Sequence, residues 1–305
     1  MKLHGWALGA TLYLPATRDD LATALLGGRH PDLRSAVICL EDSVHPRDAP
    51  LALARLQKLL ASLAAHPPEI ARPALFVRPR DAGMLTHILQ FPGIEAIDGF
   101  VIPKATADSL PAYLAVLAFD HHLLMPTLET REVFDPAEMR RLRDQLAAIH
   151  ERVLAVRIGG NDLIQTLGAR RSNERTVYDG PLGPVIASLV ATYVPWGFAL
   201  SAPVFEHFGN IALLREEVER DLEHGLLTKT AIHPSQIGII HSAYAVDDDC
   251  HAEAQAILAA DGRAVFASRE AMCEPATHRL WAQATLRRAE AFGIRRTSRA
   301  TPISA

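Results

Sequence analysis

Ionisable residues stand directly behind short apolar runs at several points of the chain: Glu41-Asp42, Arg78, Lys104, Glu129 and Asp162. Glu129 and Asp162 form a natural metal pair, because Mg²⁺ is held by one or two hard carboxylates that leave its other positions to water and substrate. Gly159 and Gly160 precede Asn161 and Asp162, and they allow either close backbone approach or a left-handed turn. The plainer alternative makes both acids helix caps or first-turn residues. Arg78 suits a carboxylate clamp, since its planar fork binds carboxylates through two parallel hydrogen bonds and keeps its charge. A surface ion pair is the competing role, and it is equally open to Arg80. Lys104 reads as an ion-pair partner of Glu129 or Asp42, with a Schiff-base nucleophile as the other option. Glu41 and Asp42 are placed to hydrogen-bond the waters of a metal or to hold Arg78 and Lys104. His233, just before Pro234, is either a base or the cap of a turn. The run Asp247-Asp248-Asp249 reads as a helix start, because no calcium-loop spacing follows it.

Such residues need elements that bring them together. Short apolar runs at 10–14, 36–40, 74–77, 99–102, 123–125, 153–158, 198–200 and 230–232 alternate with amphipathic segments at 19–26, 49–65, 83–90, 109–119, 136–150, 185–193 and 211–224. This alternation argues for parallel strands joined by crossover helices. Eight such units close into an α/β fold of the (β/α)₈ barrel type, whose active site gathers at the carboxyl ends of the strands. An open doubly wound sheet would carry a Gly-rich turn after the first strand, where Pro15-Ala16-Thr17 stands instead. The expected organisation is a barrel over 1–240, a C-terminal helical lid or arm over 241–294 and a disordered tail over 295–305. Within the arm, helices are expected at 248–260 and 275–292, with a short apolar piece at 264–267.

Composition narrows the function classes. Among 305 residues, 31 Lys and Arg face 35 Asp and Glu, so the basic excess of a nucleic-acid binder is missing. The 3 cysteines have no C-x-x-C spacing, which argues against a disulfide framework or structural zinc and fits a reducing cytoplasm. The uncharged stretch 180–205 is broken by Pro181, Pro184, Pro195 and Pro203, so no membrane-spanning helix is expected there. The apolar run 6–14 is short for a signal peptide and reads as the first strand. A cytoplasmic enzyme with neither nucleic-acid nor membrane partners is expected.

Seven short segments occur in register over nearly the whole chain: TLYLPA at 11–16, CLEDSV at 39–44, FVRPR at 76–80, IPK at 102–104, LET at 128–130, GGNDL at 159–163 and AIHPSQI at 231–237. With them the chain resembles the HpcH/HpaI aldolase and citrate lyase β-subunit superfamily. MPTLET at 125–130, RIGGND at 157–162 and APVFE at 202–206 are most similar to a bacterial branch of C–C bond lyases associated with tellurite-resistance-type biosynthetic clusters. The resemblance implies Mg²⁺ held by Glu129 and Asp162, and Arg78 holding a 2-oxo acid and stabilising its enolate. It also implies Glu41 and Asp42 as the acidic pair behind the metal waters, and Lys104 as a supporting cation. Gly160, Asn161 and Pro203 join Arg78 as the expected substrate contacts. In the lid segment MCEP at 272–275, Glu274 stands where the family has an aspartate that reaches a neighbouring subunit's substrate. Gly9-Ala10-Thr11 replace an arginine common on the family's first strand, and Arg157 stands in an unusual place. The implied protein is a homotrimer or hexamer. It makes or breaks a C–C bond next to a 2-oxo acid or acyl carbonyl through a metal-stabilised enolate. Thioester hydrolysis at the same site, with Glu274 activating water, and a non-catalytic carboxylate-binding subunit are the alternatives.

Overall fold

Eight parallel strands close a barrel in sequence order: β1 (Gly9–Pro15), β2 (Ser35–Cys39), β3 (Ala74–Arg78), β4 (Gly99–Ile102), β5 (Leu123–Leu128), β6 (Val156–Ile158), β7 (Leu200–Ala202) and β8 (Thr228–Ala231). Closure is set on β1, where Thr11 stands opposite Ser35 of β2 on one side and Thr230 of β8 on the other. In this computed structural model the described residues are 3–26, 28–65, 72–118, 121–259, 264–268 and 271–296. The chain divides into two units, Met1–Ile240 and His241–Ala305.

The strands are apolar because both faces are covered. Every residue of β2 is buried, as is every residue of β4, the pattern expected of parallel strands under helices. Alternation still decides which side chain meets which side. Val37, Phe76 and Met125 join Leu8, Val101 and Leu154 in one core cluster. Two residues further along the same strands, Cys39, Arg78 and Thr127 line a cleft. One strand face thus changes from packing to chemistry within a single period.

The connecting helices are α1 (Leu21–Leu26), α2 (Ala49–Ala65), α3 (Ala82–Ile88), α4 (Leu110–Val116), α5 (Pro136–Ala147), α6 (Gly160–Thr166), α7 (Leu182–Tyr193) and α8 (Ile211–Glu223), with α9 (Ser235–Tyr244) after the last strand. Pro136 occupies the first turn of α5, where its missing N–H costs no hydrogen bond, and the Asp135 carboxylate accepts from the Ala137 N–H to cap it. The uncharged stretch 180–205 resolves into α7, a 3-10 turn over Val194–Trp196, and β7. No described helix is long and apolar enough to cross a membrane.

Several boundaries differ from the sequence expectation. β5 runs on through Pro126 to Leu128, and β7 occupies Leu200–Ala202 instead of 198–200. β6 is confined to Val156–Ile158, while Val153 makes only an isolated bridge to Leu124. β8 starts at Thr228 and includes Lys229, a residue that reads as polar but is fully buried. Its amine is neutralised by Glu217 and Asp221 of α8, each 2.9 Å away, and no strand pattern records such partners.

In the second unit Ala254 and Ile257 of α10 (Asp248–Leu258) and Ala282 of α11 (Pro275–Phe292) share one core cluster with Cys273. The apolar piece expected at 264–267 belongs to a hairpin, with β10 (Phe266–Ser268) antiparallel to β11 (Ala271–Cys273). β9 (Val246–Asp247) pairs in parallel with β12 (Ile294–Arg295), and the Arg295 guanidinium bonds Asp247. Ordered structure therefore passes the expected tail boundary at 295. Residues 297–305 of that tail, and residues 119 and 260 of two expected helix ends, lie outside the described residues. No disulfide joins Cys39, Cys250 and Cys273.

Candidate active site

The carboxyl ends of the strands surround one cleft of about 410 Å³, lined by Asp42, Arg78, Glu129, Arg157, Asp162 and Thr230 among others. Ladder bonds carry the register just past the strands. Leu40 N–H donates to the Arg78 carbonyl at 2.9 Å, Ala105 N–H to Thr127 at 3.0 Å and Gly159 N–H to Leu128 at 2.9 Å. The residues next to those bonds are the ones that carry charge.

Arg78 ends β3 with only 6% of its surface exposed. Its Nη2 lies 2.7 Å from Glu129 Oε1, 2.9 Å from Glu41 Oε2 and 3.0 Å from Asp42 Oδ2. This is a buried tie between strand ends, so the surface-pair alternative fails. Burial alone would weaken the hold of Arg78 on its proton, but the charges of Glu129, Tyr13, Cys39 and Glu41 outweigh that and raise its pKa. Among the described residues Arg80 makes no surface pair either. Its Nη2 donates to the carbonyls of Val44 at 2.6 Å and Glu41 at 3.3 Å, bracing the loop that carries Asp42.

Lys104 follows β4 with φ 48, the only described residue other than glycine in the left-handed region. That conformation is disfavoured for side chains bearing a Cβ. It points the Lys104 N–H at Glu129 Oε1, 2.7 Å away. The amine bonds Glu41 and lies 3.3 Å from Asp42 Oδ1. Partial burial lowers its pKa, yet the hydrogen bond to Glu41 and the surrounding carboxylates raise it overall. An amine whose pKa is raised by its carboxylate neighbours suits an ion pair better than a Schiff-base nucleophile.

Glu129 directly follows β5 and is 4% exposed. It accepts from Arg78 and the Lys104 N–H, while Thr130 takes the N-cap position of the next 3-10 turn. The capping alternative is therefore wrong for Glu129. For Asp162 both readings hold: it lies in the first turn of α6 and also faces the cleft. Asp42, Glu129 and Asp162 each offer one oxygen, and these oxygens all lie within 4.8 Å of one another. The sequence expectation set Asp42 behind the metal waters, whereas the folded chain brings it into the same ring as the pair.

The two glycines act by close approach, not by a left-handed turn. A Cβ on Gly159 would come 2.3 Å from the Cβ of Glu129, and one on Gly160 would come 2.6 Å from the Cβ of Pro203. Pro203 is thus a packing partner of Gly160, and its neighbour Val204 reaches the cleft lining beside Asn161.

Crowding sets the electrostatics. Burial pushes the Glu129 carboxyl up to about 7 despite Arg78 and the Lys104 N–H, and Asp162 adds to the rise. Asp162 is raised by burial and by Asp42. Glu41 is raised by burial and by its hydrogen bond to Asp42. For Asp42 burial acts upward, but Glu41, Arg78 and Lys104 together hold its carboxyl below the usual range. Hard oxygen donors crowded at this distance fit a divalent cation of the Mg²⁺ kind, whose charge would offset those rises.

Sequence reasoning assigned no role to Arg157 or Thr230 of the cleft. Arg157 is the central residue of β6, and its guanidinium bonds the Thr230 hydroxyl and lies 5.2 Å from the Tyr13 ring. Its signal was a charge inside an otherwise apolar strand. His233 settles as a cap, since its Nδ1 accepts from the Ser235 N–H at 3.2 Å and its ring stacks on Phe208. Glu274 belongs to the second unit, where it precedes α11 and its N–H donates to His278 Nδ1 at 3.1 Å.

The comparisons agree with this fold. A family model described as a C–C bond lyase of the TIM-barrel fold matches residues 2–294. The (3S)-malyl-CoA thioesterase of Cereibacter sphaeroides is 26% identical over 216 residues, 66% of this chain and 68% of that protein. CitE of Mycobacterium tuberculosis, crystallised with magnesium, acetoacetate and coenzyme A, is 23% identical with a TM-score of 0.68, over 92% of this chain and 98% of that one. The citrate lyase beta subunit of M. tuberculosis, crystallised with oxaloacetate and magnesium, is 21% identical with a TM-score of 0.57, over 79% and 99%. At these identities the solved structures establish the fold.

Proposed function

Because the chain belongs to the C–C bond lyase family of the TIM-barrel fold, we propose that it is a Mg²⁺-dependent lyase or aldolase acting next to a 2-oxo acid or acyl carbonyl. The observation that carries this reading is the ring of Asp42, Glu129 and Asp162 oxygens beside the buried Arg78. The magnesium and oxaloacetate bound by the citrate lyase beta subunit support it.

Glu129 and Asp162, joined by Asp42, hold the cation. When bound, Mg²⁺ supplies Lewis-acid stabilisation of the negative charge that develops as a C–C bond breaks or forms. Arg78 neutralises the substrate carboxylate at the opposite side of that charge, and it stays cationic because Glu41 and Glu129 face it. Lys104 and Glu41 fix Asp42 and Arg78 in place. Gly160, Asn161 and Pro203 shape the wall against which the acid lies. Glu274, reaching from a neighbouring subunit of a trimer or hexamer, takes the hydroxyl proton in cleavage or the α-proton in condensation. Mixing Glu274→Gln with Glu129→Gln protein tests that last role, since mixed oligomers should recover activity that neither variant has alone.

The primary test is calorimetric titration of metal-stripped protein with pyruvate, glyoxylate or oxaloacetate, with and without Mg²⁺. The expected outcome is oxo-acid binding that needs Mg²⁺ and disappears in Glu129→Gln and Asp162→Asn. Metal-independent binding, or no binding across the panel, would overturn the reading. A second reading, thioester hydrolysis, is favoured by the malyl-CoA thioesterase relative. Malyl-CoA separates the two: a lyase releases glyoxylate and no free thiol, whereas a hydrolase releases free thiol and no glyoxylate.

A further inference from the structure

Four arginines of the described chain are buried: Arg78, Arg143, Arg157 and Arg171. Three of them meet a carboxylate, Arg78 through Glu129, Arg143 through Asp144 and Arg171 through Glu217. Arg157 is the most buried at 1% exposure, yet it pairs with no carboxylate among the described residues. A guanidinium offers five N–H donors. Here its acceptors are the Thr230 hydroxyl and, weakly, Met125 Sδ at 3.7 Å, with the Tyr13 ring alongside. Taking a cation out of water without a counter-charge is costly, and such a group persists where something else compensates it.

Its surroundings continue the pattern. Arg157 stands in register with Thr127 of β5 on one side and Ser201 of β7 on the other. Both hydroxyls are buried and have no hydrogen-bond partner among the described residues. Arg157, Thr127 and Thr230 all line the cleft that holds Asp42, Glu129 and Asp162. Tyr13, on β1, lies in the fields of both Arg157 and Arg78, so both guanidinium groups act on one region of that cleft. Arg78 shares its charge among three carboxylates of the chain, whereas the charge of Arg157 is unspent.

We infer that Arg157, flanked by the unpartnered hydroxyls of Thr127 and Ser201, receives a second carboxylate of the substrate and so sets a preference for an oxo-dicarboxylate over an oxo-monocarboxylate. The inference rests on the lyase reading for the identity of the acid, and on the geometry of Arg157 for the second charge. Pyruvate and oxaloacetate differ by that one carboxylate, which makes them the probe pair.

In calorimetric titrations with saturating Mg²⁺, wild type should bind oxaloacetate about tenfold more tightly than pyruvate, the scale of one charge-assisted hydrogen-bond pair. Arg157→Gln and Arg157→Met should erase that preference while moving pyruvate affinity by less than about twofold, and Arg157→Lys should keep part of it. Equal weakening of both acids, or no preference in wild type, would overturn the inference. Failure of both acids to bind with Mg²⁺ would sink the lyase reading instead. A metal-free arm then decides the matter for Arg157: malonate should raise the melting temperature of wild type and not of Arg157→Met, and an equal rise would overturn the assignment. Arg157→Met should also melt no lower than wild type without ligand, because an unpaired buried cation is being removed. A marked drop would make Arg157 a structural residue and end the proposal.

Discussion

The barrel holds two clusters of charge, and their balance differs. At the carboxyl ends of β2 to β6, Arg78 and Lys104 face Glu41, Asp42, Glu129 and Asp162. Between β8 and α8, Lys229 and Arg171 face only Glu217 and Asp221. The second cluster is closed. Lys229, Glu217 and Asp221 are fully buried. Tyr178 donates to Asp221 at 2.6 Å, and the Val177 N–H donates to Glu217 at 3.0 Å. Lys229 and Arg171 overcome burial to hold Glu217 low, while burial and Glu217 keep Asp221 high. The rim cluster carries two carboxylates more than its cations can match, and it opens onto a cleft. A buried network that is complete by itself serves the fold, whereas carboxylates in excess over cations on an open cleft suit a divalent cation.

That contrast can be broken at either cluster. The largest effect is expected for Lys229→Met, which takes the cation from buried Asp221 and leaves Glu217 to Arg171, and should cost about 3–5 kcal/mol of stability in urea unfolding. Mg²⁺ affinity of the folded fraction should be unchanged, and an undiminished unfolding midpoint would remove the structural half of the contrast. Glu129→Gln should act the other way round. Turnover falls by about 10²–10³-fold, while the metal-free protein unfolds at a midpoint no lower than wild type, because a crowded buried charge has gone. A large loss of stability there would make the rim a second structural cluster. Mg²⁺ itself sharpens the comparison. At about one hundred times its Kd it should add about 2.7 kcal/mol to wild type through linkage. The gain should vanish with chelator and in Asp162→Asn. The smallest change is expected for Asp42→Asn. If Asp42 completes the ring, Mg²⁺ affinity should drop by about 10–100-fold, the range for groups at the edge of a metal site. No drop would return Asp42 to the supporting role that the sequence suggested for it.

What could be read from the sequence was local. The strand-end positions of Arg78, Lys104, Glu129 and Asp162 follow from apolar runs with charge behind them, and the barrel follows from their alternation with helices. What escaped was decided through space. Lys229 hid the start of β8 because its neutralising partners sit on α8, outside any strand pattern. Arg157 was noticed as a charge in an odd place, but its lack of a carboxylate partner emerges only when all the neighbours are known. Asp42 meets Arg78 and Lys104, one of the two roles its position allowed, whereas Arg80 was wrong in contact, since its guanidinium donates to carbonyls of the loop after β2. The two glycines before Asn161 left two conformational explanations open, and only the packing of Glu129 and Pro203 against them separates these.

That packing has a further consequence for how the site can change over generations. A Cβ at 159 and the Glu129 side chain cannot occupy the same space. Any replacement of Gly159 therefore displaces or removes the carboxylate, even though glycine has no functional group to lose. Positions 129 and 159 form a linked pair in which the silent member vouches for the chemical one. Among chains of this fold, a side chain at the position of Gly159 would mark a lineage that has given up this corner of the site.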